Sequence, residues 1–132
     1  MKIKTAELSG KALDFAVAES LGAYIGMVKP YINTDREEEA LIFPDNVPFQ
    51  WAHGVFAPST RWGHCGPLIE GYSPVITICQ AKIRTEIATL ENDVAKTGVG
   101  LALTYLESFC RALVSLKLGD EVDIPDELTG DV

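Results

Sequence analysis

Apolar positions along this chain fall into a few regular patterns separated by breaks. Around residues 9–20, Leu8, Ala12, Phe15 and Leu13, Ala16, Val17 make a broad arc at helical spacing, with Lys11, Asp14 and Ala18 on the remaining side. Ser9 stands where an N-cap belongs and Gly22 where a helix stops. So wide an arc predicts a largely covered helix. Lys2-Ile3-Lys4 alternates like a short edge strand, residues 23–28 read as a strand ended by Pro30, and residues 40–43 and 50–56 as shorter ones. Val75-Ile76-Thr77-Ile78-Cys79 is rich in β-branched side chains, and residues 83–87 alternate apolar with polar. The economical arrangement of these two is an antiparallel pair, followed by a polar connection over residues 91–96.

Further on, Val99, Ala102, Leu103, Leu106, Cys110 and Leu113 share one stripe, while Thr104, Ser108, Arg111 and Ser115 share the opposite one. The spacing predicts a helix over 98–118, a rod of roughly 30 Å that would be the spine of the fold. Gly119 is placed to end it, and Glu107 stands four residues before Arg111 as a surface ion pair. The tail, residues 120–128, alternates Val122 and Ile124 with acids and could add a short strand. Nothing repeats, and no linker divides the chain. The pattern predicts one α+β domain over residues 1–132, with a short N-terminal helix and a long C-terminal helix against a small, mainly antiparallel sheet.

The breaks matter as much as the patterns. Residues 33–39 are the strongest charge run and read as a solvated segment; residues 44–48 hold two prolines and read as a turn. Residues 56–70, Phe-Ala-Pro-Ser-Thr-Arg-Trp-Gly-His-Cys-Gly-Pro-Leu-Ile-Glu, fit neither helical nor strand periodicity and read as a loop. Trp62 is an expensive residue to leave in water, so the favoured reading has its ring plugging the core and pinning the loop. In that reading the Ser59 and Thr60 hydroxyls bond backbone amides after Pro58, and Glu70 accepts from Trp62 Nε1 or from loop amides. The competing reading makes Ser59, Thr60, Trp62 and Glu70 a binding surface.

Composition is that of an ordinary globular protein, with 47% hydrophobic and 23% charged residues. Nineteen acids against 11 bases leave a net charge of −8, which disfavours nucleic acid and anionic membranes as partners. No apolar leader follows the first residues, and the most apolar window, 99–118, holds Glu107, Arg111 and Lys117, which argues against a spanning helix. Cys65, Cys79 and Cys110 are an odd number at wide spacings and read as free thiols in a reducing cytoplasm.

Chemistry finds little footing. A hydrolase built from Ser59, His64 and Glu70, or from Cys65 with His53, lacks a nucleophile elbow. A metal site from His53, His64, Cys65 and Cys79 lacks paired short spacings. Thr97-Gly98-Val99-Gly100 lacks the lysine and spacing of a phosphate loop. No neighbour assigns His64 or Cys65 a task, and no cofactor is implied.

Three segments in order resemble the NinX-like family of small bacteriophage proteins of unknown function. They are the opening Met1-Lys2-Ile3-Lys4-Thr5-Ala6-Glu7-Leu8 with residues 13–18, the centre with Phe56, Pro58-Ser59-Thr60, Trp62, Gly66-Pro67-Leu68-Ile69 and Glu70, and the close over residues 115–128. The resemblance implies a phage or prophage accessory protein in the host cytoplasm and supplies no catalytic residues. The resulting expectation is a non-enzymatic protein that binds a host or phage protein, with a homodimer as one form. The alternative is a small-molecule-binding protein or enzyme with a pocket around the Ser59–Glu70 loop.

Overall fold

A computed structural model describes residues 1–28, 38–44, 51–52, 56–126 and 128. In chain order the elements are β1 (Lys2–Lys4), a 3-10 turn (Thr5–Glu7), α1 (Gly10–Ser20), β2 (Tyr24–Val28), β3 (Glu38–Ile42) and β4 (Trp51–Ala52). There follow α2 (Trp62–Ile69), β5 (Val75–Cys79), β6 (Lys82–Glu91), β7 (Val94–Ala102), α3 (Tyr105–Leu118) and β8 (Glu121–Asp123). The class is α+β, as the patterning predicts. The small sheet, however, is among the described residues three separate antiparallel ones, ordered β1-β8, β2-β3-β4 and β5-β6-β7. The predicted stop at Pro30, most of the 33–39 charge run, residues 45–48 of the predicted turn, and residues 50 and 53–55 of the predicted strand with His53 lie outside the described residues.

α1 begins and ends close to where its caps predict. Ser9 is the N-cap, and Gly22 turns the chain with φ +89°, its amide reaching the Glu19 carbonyl at 3.0 Å. Its cover is wider than the apolar arc suggests, because Asp14 and Ala18 are buried as well. β1 closes on β8 in the register Lys2↔Asp123 to Lys4↔Glu121, so the tail strand exists and the two ends of the domain are clasped together.

The largest departure concerns residues 98–118. Only Tyr105–Leu118 is helix; residues 98–102 are the end of β7, and Leu103 and Thr104 turn the chain between the two. Two glycines each cost about 1 kcal/mol in a helix interior, whereas a strand that alternates Gly98, Gly100 and Ala102 toward a neighbour lets that neighbour come close. α3 takes this opportunity. A Cβ built on Gly98 would strike the Ala112 carbonyl and Leu116; one on Gly100 would strike the Ser108 carbonyl and the Ala112 amide. Ser108, expected on a solvent stripe, is instead fully buried and hydrogen-bonded to Thr85 on β6. The Glu107–Arg111 pair forms at 2.8 Å, but Arg111 is no simple surface partner. Its Nε donates to the Leu8 carbonyl at 2.9 Å and its Nη1 to the Leu101 carbonyl at 2.6 Å, tying α3 to the segment before α1 and to the β7 edge.

The 91–96 connection is a hairpin rather than a loop. Asn92 and Asp93 both take positive φ, as do Gln80 and Ala81 in the preceding turn, so each hairpin closes on two residues. One hydrophobic core runs through the molecule, with Leu8, Leu13, Val17, Ile87, Phe109, Leu113, Val114 and Ile124 among its buried members. α3 packs on β7 and β6 and covers little of β5, every residue of which is exposed.

Candidate recognition site at residues 56–70

The segment read as a loop divides into a tight buried turn and a short helix. In the turn, the amides of Thr60 and Arg61 donate to the Ala57 carbonyl at 3.2 and 2.8 Å, and those of His64 and Cys65 donate to the Arg61 carbonyl at 3.1 Å each. Phe56, Ala57, Pro58 and Ser59 are all buried. Two side chains hold them. Asp14 Oδ1 accepts the Ser59 amide at 2.9 Å, and His64 Nδ1 accepts the Ala57 amide at 2.9 Å. Because Nδ1 is the acceptor, neutral His64 carries its proton on Nε2. The His64 ring also stacks on Phe56, centroids 5.8 Å apart, and Phe56 meets Phe43 edge-on at 5.0 Å. His64 therefore has a structural task that its sequence neighbours do not reveal.

α2 was hidden by Gly63, Gly66 and Pro67, three helix-weakening residues among the eight of Trp62–Ile69. Its signal was an apolar face at helical spacing: Cys65 and Leu68 are buried, with Ile69 beside them against the core. Cys65 meets Cys110 of α3 in the interior. The neighbouring Cys65 thiol, and then burial, hold the Cys110 thiol protonated, well above the usual thiol range. A protonated, fully buried thiol is a poor nucleophile.

The expected core role of Trp62 is overturned. Its side chain is 60% exposed. Trp62 is the first residue of α2 and shares a face with Gly66 four residues on, where a Cβ would come within 3.2 Å of its Nε1. Its other support is the Tyr105 ring at 6.3 Å. The pinning is done instead by Phe56, Asp14 and His64.

The remaining candidates do not converge on the indole. Ser59 is buried, and its hydroxyl, near the Asp14 carboxylate, makes no hydrogen bond of normal geometry within the described residues. The predicted amide-bonding role of that hydroxyl is therefore absent there. Thr60 is exposed. Glu70 is the exposed C-cap of α2, about 12 Å along the axis from Trp62. Its carboxylate takes no hydrogen bond from Trp62 Nε1 within the described residues. Asp14 is the residue that sequence reasoning missed. Burial raises its pKa above the ordinary carboxylate value, against the opposing pull of the Ser59 amide and hydroxyl and of His64.

Residues 4–114 match the protein family described as bacteriophage P22, NinX. The chain belongs to the NinX family. Among curated proteins none matches it. The matched span takes in α1, the 56–70 segment, the β5-β6-β7 sheet and most of α3, so the NinX match contains every residue of the candidate site. Two other concavities of this NinX chain lie apart from that site. One of about 620 Å³ is lined by Lys4, Thr5, Val99, Leu101, Arg111 and Ser115, among others, and one of about 570 Å³ lies beside Met1, Phe15 and Glu19. No helix among the described residues is long and apolar enough to cross a membrane.

Proposed function

We propose that this NinX-family protein is a non-enzymatic accessory protein of a phage or prophage. It acts in the host cytoplasm by binding a host or phage protein, itself as a homodimer, and Trp62 is the anchor of the partner contact. The exposure of Trp62 carries the reading. An indole held on a helix turn, backed by Gly66 and Tyr105 but open to solvent, offers large apolar area at little loss of side-chain freedom, the usual make-up of an interface hot spot. The divergence of Ser59, Thr60 and Glu70 favours this over a pocket built around the segment.

Affinity capture from infected cells with tagged wild type and tagged Trp62→Ala tests it. The expected result is one reproducible partner with wild type, lost with the variant while the variant's melting temperature is retained. A partner captured equally by both removes Trp62 from the contact.

A further inference from the structure

β5 is the edge of its sheet, and the geometry points to a second copy of this chain as the occupant of that edge. We infer an antiparallel β5–β5′ pairing about a two-fold axis at Thr77. The inference rests on the homodimer reading above and is independent of the Trp62 contact.

Natural edge strands are usually blunted by a lysine, a proline, a bulge or a covering element. Among the described residues β5 has none of these. Its five residues carry no charge and no proline, and they run unbroken from Val75↔Glu86 to Cys79↔Lys82. Val75, Ile76 and Ile78 are 61%, 50% and 69% exposed. In a chain of net charge −8, two copies repel over most of their surface, and an uncharged strand is where they can approach.

The backbone decides the register. The two-residue turn at Gln80-Ala81 makes Cys79↔Lys82 a hydrogen-bonded pair, and such pairs alternate along an antiparallel ladder. Val75, Thr77 and Cys79 therefore point their amides and carbonyls at β6, while Ile76 and Ile78 point theirs outward. The same alternation through β6 and β7 turns the Leu101 carbonyl outward, which is where Arg111 meets it. With the axis at Thr77, Ile76 faces Ile78′ as a hydrogen-bonded pair on each side, and Val75 faces Cys79′. Every outward polar group of Ile76 and Ile78 then finds a partner, isoleucine meets isoleucine on one face, Val75 meets Cys79′ on either side of a Thr77–Thr77′ pair on the other, and the patch is its own complement, as a two-fold interface requires. The β7 edge is the poorer candidate, since its Leu101 carbonyl is already taken and it carries Lys96.

A contact one strand wide falls near or below the roughly 1,200 Å² floor of stable interfaces, so the dimer should dissociate in the micromolar range. Light scattering across roughly 1–100 µM reads the assembly. Mild oxidation with oxidised glutathione reads the register. Thr77→Cys in a Cys79→Ser background should form a disulfide-linked dimer, because facing non-hydrogen-bonded residues sit about 4.5 Å apart at Cα. Cys79 of the otherwise native chain should not crosslink, since its twin would lie about 14 Å away along the strand. Ile76→Lys with Ile78→Lys, at exposed positions, should leave the melting temperature in place and weaken the dimer by at least about 100-fold. A strict monomer throughout overturns both the homodimer reading and this interface. A dimer that survives the double lysine change, or that crosslinks through Cys79 rather than Thr77→Cys, keeps the homodimer and overturns the β5 pairing. A folded wild-type monomer whose β5 is instead occupied by a different protein overturns the inference in favour of strand addition by that partner.

Discussion

Asp14 carries a desolvation penalty that the Ser59 amide offsets only in part, so its folded-state pKa stands above the unfolded value of 3.8. The unfolded chain then ionises first as pH rises. The contribution to stability is present below about pH 3.8 and is lost as pH climbs through the raised folded value. Asn at this position keeps an acceptor for the Ser59 amide without the charge. Asp14→Asn is therefore expected to be more stable than wild type at pH 7, with the difference closing below about pH 4 in urea titrations at stepped pH. The neighbours of Asp14 invert the ranking that the sequence suggests for Trp62 and His64. Trp62→Ala removes an exposed ring and should change stability by no more than about 1 kcal/mol. His64→Ala strips the acceptor from the buried Ala57 amide and the stacking partner from Phe56, and should cost about 1–3 kcal/mol. Thermal melts in parallel check the order. The sequence could not show it, because a loop residue's partners come from elsewhere: Asp14 lies 45 positions before Ser59.

Elements were legible where a local signal had one meaning. The cap at Ser9 and the stop at Gly22 bounded α1, and the β-branched run at Val75–Cys79 is a strand. The apolar stripe beginning at Val99 had two meanings, since β7 and α3 adjoin and their apolar positions happen to fall in helical phase. The deciding signal was Thr104 with Glu107 three residues on, a capping-box pattern, and the Thr104 hydroxyl does accept the Glu107 amide at 3.3 Å. The Gln80-Ala81 turn gave no warning, because neither residue favours the left-handed region that both occupy at φ 49° and 67°. Replacing the pair by Asn-Gly should therefore stabilise the β5–β6 hairpin by about 1 kcal/mol and raise the melting temperature by several degrees, read by calorimetry.

For the whole molecule, the fold class followed from two helices and several strands, but the division of the described strands into three sheets did not. Pairing such as Lys2↔Asp123 joins residues too far apart in the chain for any window of sequence to register. The seam between α3 and the β6–β7 hairpin has a further consequence. Where Gly98 and Gly100 meet Ser108 and Ala112, main chain rests on main chain, and there are no rotamers between them to take up slack. Such a joint cannot loosen by degrees. Amide hydrogens of the central β6–β7 ladder and of mid-α3 should exchange at one common opening free energy, close to that of global unfolding, while those near β5 exchange earlier. Native-state exchange at low denaturant measures this directly, and two separate opening energies for the hairpin and the helix would mean that the joint yields piecewise. Helix and hairpin, in short, should live or melt as a single body.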